Sequence, residues 1–119
     1  MSARNALKGA LSRRREIEIT ISGRQSGRAI SIPVWFVLND DTVCLLPARG
    51  SETQWYKNVL KNPVMRIKAG STETEFKANT VTDPEVVSAV IEKFRAKYGD
   101  GGIKLYSKLD VAVFAQKRS

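Results

Sequence analysis

The sequence predicts an α+β, mainly β domain: six short, mostly antiparallel strands curled into a small closed or split barrel, with two or three packing helices. Three observations predict it. Ile17, Ile19 and Ile21 alternate with Glu16, Glu18, Thr20 and Ser22, the period of a strand with one face buried. Turn signals separate most strand-like stretches by only a few residues, which favours hairpins and hence antiparallel pairing. Two stretches, Glu52–Lys61 and the region after Asp83, carry helical start signals and apolar residues at helical spacing.

Each element follows from local chemistry. Ser2–Ser12, rich in Ala, Leu, Lys and Arg, has the composition of a short helix interrupted by Gly9. Arg13-Arg14-Arg15 reads as a solvated ramp into the first strand, with contact to phosphate or to a membrane surface as the minority reading. Glu16–Ser22 is a strand, and Gly23–Arg28 a turn with glycine near both ends. Ala29–Leu38 reads as one long strand, buried on both faces in its second half, where Val34–Leu38 is continuously apolar. Pro33 cannot donate to a ladder, so it marks an edge or a bulge. Asn39-Asp40-Asp41 turns the chain, and Thr42–Leu46 returns as a strand ended by Pro47.

Ala48–Asn58 reads as a loop feeding a helix. Ser51 is a candidate N-cap with Gln54 at capping-box spacing, and Trp55, Tyr56, Val59 and Leu60 make one apolar face. Asn62-Pro63 stops that helix. Val64–Ala69 and Thr72–Val81 are strands about a Gly70-Ser71 turn. Asp83 caps the longest helix, with Pro84 at its first position, and the helix fades near Tyr98-Gly99. Asp100-Gly101-Gly102 reads as a flexible loop, Ile103–Ser107 as a helical turn, and Asp110–Ala115 as the closing strand.

Composition narrows the chemistry. The 119 residues suit one domain, and no apolar run approaches membrane-spanning length. The single Cys44 excludes an internal disulfide and, as a small buried hydrophobe, suits a reducing cytoplasm. There is no histidine, so a Ser-His-Asp triad and a Cys-His pair are impossible, and no metal site is expected. An enzyme of this composition needs an organic cofactor for the hard chemistry. The net charge of +8 points to an anionic partner.

The stretch Ala48-Arg49-Gly50-Ser51 is the best candidate anion site. A guanidinium stands beside unpaired N–H groups at a helix start, and glycine permits close approach. The alternative is a helix start with a solvated arginine. Arg24 and Arg28 are further candidates in a turn. Trp35 is either a ring-stacking side chain or core, and Tyr98 and Tyr106 flank a glycine-rich segment that could close over a substrate.

In sequence order, Gly23-Arg24-x-Ser26-Gly27, Pro33 before an aromatic apolar strand, Arg49-Gly50, Trp55-Tyr56-x-Asn58 and Asn62-Pro63-Val64 resemble the deazaflavin-dependent nitroreductase family. That family belongs to the flavin-binding split-barrel superfamily, which also holds the pyridoxamine-phosphate oxidases. The resemblance covers Ile17 to Ala69 by motif. It implies a split barrel, a homodimer, and a phosphorylated deazaflavin, coenzyme F(420), or FMN as cofactor. It implies that Arg49, Gly50 and Ser51 grip the cofactor phosphate, with Ala48 beside them, and that Pro33, Val34 and Trp35 lie along the ring. It gives Asn58 a role in bracing the loop. The implied activity is hydride transfer to a small electron-poor acceptor such as a quinone or nitro compound. The rival readings are a non-catalytic cofactor carrier and a basic barrel for single-stranded nucleic acid.

Overall fold

The computed structural model describes residues 9, 11 and 14–117. The elements are β1 (Ile17–Ser22), β2 (Ala29–Val34), β3 (Val37–Asn39), β4 (Thr42–Leu45), a 3-10 turn (Gly50–Glu52), α1 (Gln54–Lys61), β5 (Val64–Ala69), β6 (Thr72–Val81), α2 (Pro84–Ile103) and β7 (Ala112–Lys117). The helix expected over Ser2–Ser12 lies outside the described residues except for Gly9 and Leu11, both helical.

The strands form one seven-stranded sheet in the order β2-β1-β5-β6-β7-β4-β3. Every neighbouring pair is antiparallel. The two edge strands, β2 and β3, follow one another in sequence with only Trp35 and Phe36 between them. From Val34 to Val37 is three Cα steps, at most ~11 Å. Opposite edges can be that close only if the sheet curls until they meet. No ladder bridges them, so the barrel stays open along this seam.

The seam corrects the expected strand count to seven from six. Ala29–Leu38 is two strands, because Trp35-Phe36 leaves the ladder. Side chains take over its backbone groups. The Phe36 N–H donates to the Tyr98 hydroxyl at 3.0 Å, and Lys97 Nζ donates to Phe36 O at 2.8 Å. The Tyr98 hydroxyl lies 2.6 Å from Arg15 O and 2.8 Å from Phe36 O, the two carbonyls that can accept its proton. Pro33 sits on the edge strand opposite Glu18, where its missing N–H removes no ladder bond.

Two apolar clusters hold the sheet. Ile19, Ile67, Phe76, Leu45 and Val113 fill the concave side, and α1 closes one end with Trp55, Tyr56 and Val59. On the other face of β3, β4 and β7, α2 packs Val87, Val90, Phe94 and Tyr98 against Val37, Cys44 and Ala112. Burial on both faces explains the unbroken apolar run at Val43–Leu46, whereas the run Val34–Leu38 crosses the break between β2 and β3.

Element boundaries differ from expectation in three places. The N-cap of α1 is Thr53, not Ser51, and makes no side-chain cap bond. The Thr53 hydroxyl instead accepts from the Arg49 N–H at 2.8 Å. Asp83 does cap α2, accepting from Glu85 N at 2.9 Å with Pro84 in the first turn. Gly99, at φ 80° and ψ 170°, kinks α2, but Asp100–Ile103 continues as a helical turn where a loop was expected. The closing strand begins at Ala112 because Asp110 turns its side chain back to Ser51.

Candidate functional site

The open seam leaves a cavity of about 410 Å3. Its wall comes from Ile32, Pro33 and Val34 of β2, Trp35 at the break, Leu46, Ala48 and Arg49 after β4, Thr53–Trp55 at the start of α1, and Leu105 and Tyr106 beyond α2. Glu16 completes it. Two larger grooves exist. One of about 630 Å3 runs along Arg14–Glu16 and the Ala69–Thr72 turn without an aromatic wall. One of about 490 Å3 lies between β3 and α2, lined by Leu11, Phe36 and Lys97. The smaller cavity has the makings of a ligand site, an apolar aromatic wall with a few polar groups.

Trp35 is fixed by its surroundings. Its indole stacks on Tyr98 and stands at 58° to Tyr106. Gly102 passes so close that a Cβ there would lie 3.1 Å from the indole and 2.9 Å from the Tyr98 Cβ. Tyr98, expected to flank a mobile loop, is buried instead, and Arg15 and Lys97 lie over its ring. Tyr106 is half-buried on the cavity wall, and burial, helped by Tyr98, pushes its phenol well above the ordinary value. It stays protonated at neutral pH.

Arg49 is exposed at the rim, and its guanidinium has no hydrogen-bond or ion-pair partner among the described residues. The neighbouring amides are engaged. Gly50 N donates to Pro47 O at 3.0 Å, and Ser51 N donates to Asp110 Oδ1 at 2.9 Å. Ser51 Oγ donates to Asp110 Oδ2 at 2.6 Å. Gly50 and Ser51 are therefore turned to the start of β7 and line no part of the cavity, contrary to the expected anion grip. Gly50 is needed for that clasp. Its φ is 56°, and a Cβ would lie 2.1 Å from Asp110 Oδ1. Ser107 N donates to Ala48 O at 2.9 Å, so the same loop is tied to the segment carrying Leu105 and Tyr106.

Arg24 lies in an adjoining cleft of about 280 Å3 that shares Gln54 with the cavity. Its guanidinium donates to Gln54 Oε1 and to Asn58 Oδ1, each at 2.8 Å, and its amide to Asn58 Oδ1 at 3.1 Å. These acceptors are neutral, so Arg24 is held in place with its charge uncompensated. Asn58 thus braces the Gly23–Arg28 turn against α1. Arg28 is exposed and lines neither space.

The structure gathers Pro33, Val34, Trp35, Ala48 and Arg49 at one cavity, places Arg24 next door, and sets Gly50, Ser51 and Arg28 apart. Glu16 and Asp110 were missed. Glu16 looked like the polar member of a strand alternation, and Asp110 reaches Ser51 across 59 residues of sequence. No group of three or more Cys, Asp or Glu side chains among the described residues is placed to hold a metal ion. Among the same residues, no helix is long and apolar enough to cross a membrane.

Comparisons with known proteins fit this architecture. A family model described as "Uncharacterized protein conserved in bacteria (DUF2255)" matches residues 9–114. No curated protein matches the sequence. Among solved structures, an F(420)-H2-dependent reductase, FDR-A, is 17% identical with a TM-score of 0.69, covering 87% of this chain and 95% of its own. HutZ, described as the heme storage protein of Vibrio cholerae, is 18% identical with a TM-score of 0.68, covering 100% and 92%. A pyridoxamine 5'-phosphate oxidase-like protein of Listeria innocua is 13% identical with a TM-score of 0.70, covering 96% and 91%. At such identities the likeness establishes the shared split-barrel fold.

Proposed function

The chain belongs to the DUF2255 family of bacterial proteins, and from that starting point we propose that it binds a flat redox heterocycle with an anionic tail, a deazaflavin such as coenzyme F(420) or FMN. The reaction we propose is reduction of a small electron-poor acceptor, such as a quinone or nitro compound. The observation that carries this reading is the seam cavity of about 410 Å3, where an aromatic, apolar wall ends at an unpaired guanidinium, Arg49. Split-barrel neighbours named as a reductase and an oxidase support it.

The residues fit such a group. Val34, Trp35 and Trp55 offer apolar surface to a ring, and Arg49 offers charge-assisted hydrogen bonds to a phosphate. Arg24, preset by neutral acceptors, adds positive potential beyond Gln54. When bound, the ring would supply the hydride. The chain's own work is to orient that ring against Trp35, exclude water with Leu105 and Tyr106, and leave room for an acceptor. Tyr106, protonated at neutral pH, is a proton-bearing side chain on the wall. A homodimer remains part of the reading, since β2 presents a free edge with Ile30 38% exposed.

Turnover tests it. Purified protein is supplied with reduced coenzyme F(420), or with FMN and a reductant, and with menadione as acceptor. Cofactor oxidation that depends on both protein and menadione is the expected result. Tight cofactor binding without any turnover makes the chain a carrier. No binding of either cofactor overturns the proposal.

A further inference from the structure

The seam cavity carries two opposite charges that do not meet. Glu16 enters its wall just before β1, and Arg49 enters it just after β4. Neither side chain has a hydrogen bond or ion pair among the described residues, so the two stand more than 4.0 Å apart. Both side chains are exposed at the rim of the cavity. The rest of the wall is mostly apolar, with Ile32, Val34, Trp35, Leu46 and Trp55 beside the polar Thr53 and Gln54. Burial is the main reason that the Tyr98 phenol is pushed up; Arg15 opposes the shift and Glu16 adds to it, which puts both charges near the Trp35–Tyr98 stack.

A cavity so arranged is polarised. A carboxylate accepts hydrogen bonds only, and accepts them strongly because it is charged. It repels a negative group brought to the same place. Arg49, which does not pair with it, does the reverse. The ligand that satisfies both has a hydrogen-bond-donating edge and, set apart from it, an anion. Resting on the function proposed above, we infer that Glu16 is the specificity-determining residue of the cavity: it accepts a hydrogen bond from a ring N–H of the heterocycle whose anionic tail lies at Arg49. Rings without that donor, or with a carboxylate at that edge, leave Glu16 unpaired or repelled.

FMN and FMN methylated at its imide nitrogen share the phosphate tail and differ at one nitrogen, where the methyl removes the donor and adds bulk, so the change in the ratio of their affinities on replacing Glu16 reads the Glu16 end. Fluorescence titration of both into wild type, Glu16→Gln and Glu16→Leu reads that ratio, and any loss common to both probes cancels. Wild type should prefer FMN by roughly tenfold, a hydrogen bond to a charged acceptor being worth about that much. Glu16→Leu should bring the ratio near one, and Glu16→Gln, which keeps an acceptor oxygen, should fall between. A wild-type ratio near one, or an unchanged ratio in Glu16→Leu, overturns the role of Glu16 while leaving the cofactor reading intact. If wild type binds coenzyme F(420) but not FMN, the role of Glu16 falls and the cofactor reading stands; if it binds neither, both fall.

Discussion

The Trp35 indole lies flat on the Tyr98 ring, with centroids 4.3 Å apart and planes 7° from parallel. One residue sits at the break between the two edge strands, and the other sits on α2. The stack therefore joins the cavity wall to the helix that covers the opposite sheet face. Such a pair contributes roughly 0.5–1.5 kcal/mol beyond the area it buries. The Tyr98 hydroxyl then supplies the partner that Phe36 lost when the chain left the ladder.

Tyr98→Phe keeps the stack and removes that partner. The Phe36 N–H is left buried and unpaired, which should cost about 1–3 kcal/mol. Chemical denaturation of wild type and variant measures the difference. A cost below a few tenths would mean that water replaces the hydroxyl.

Two adjacent glycines should respond with opposite signs. Gly102→Ala drives a methyl into Trp35 and the Tyr98 Cβ, and overpacking of this kind costs about 1–3 kcal/mol. Gly101 has nothing within 4 Å of a built Cβ and lies in the same helical turn. Gly101→Ala should stabilise by roughly 0.5–1 kcal/mol. Melting curves and Trp35 fluorescence, compared across the pair, separate the two effects.

The Asp110 clasp should weaken in acid. Partial burial pushes its carboxyl up, but hydrogen bonds from the Ser51 side chain and amide, with Lys108 nearby, hold it below the ordinary 3.8. A carboxyl depressed on folding adds stability that is present above the unfolded value and lost as pH falls through the folded one. The stability gap between wild type and Asp110→Asn should be constant from neutral pH down to about 4 and should narrow below that. A gap that widens in acid would contradict the clasp.

Cys44 should be inert in the native protein. Burial between the sheet and α2 raises its thiol to about 11, only partly opposed by Lys93, so almost no thiolate forms at neutral pH. Labelling with iodoacetamide at pH 8 should be slow without denaturant and fast with it. Rapid native labelling would place Cys44 outside the core.

Much of the fold was legible because it rests on local period and turn chemistry. The alternation at Ile17–Ile21, the Asp83-Pro84 start and the proline stop after Asn62 all read correctly. Two features were not legible. The split of Ala29–Leu38 depends on Tyr98 and Lys97, more than sixty positions away, which supply the hydrogen bonds that let Phe36 leave the ladder. The orientation of Gly50 and Ser51 depends on Asp110, which nothing near Ser51 in the sequence announces. The site was legible where neighbours in sequence share one wall, as Pro33, Val34 and Trp35 do. Glu16 was missed because a strand-facing glutamate and a cavity-facing one look alike until the seam is seen.

The central claim is that Arg49 anchors an anionic redox cofactor in the seam cavity, and equilibrium titration of coenzyme F(420) and FMN into wild type, Arg49→Lys and Arg49→Ala tests it most directly. Loss of a charge-assisted contact of about 1.5–3 kcal/mol predicts that Arg49→Ala binds roughly ten- to a hundredfold more weakly, with Arg49→Lys between. Binding by Arg49→Ala as tight as by wild type would contradict the account.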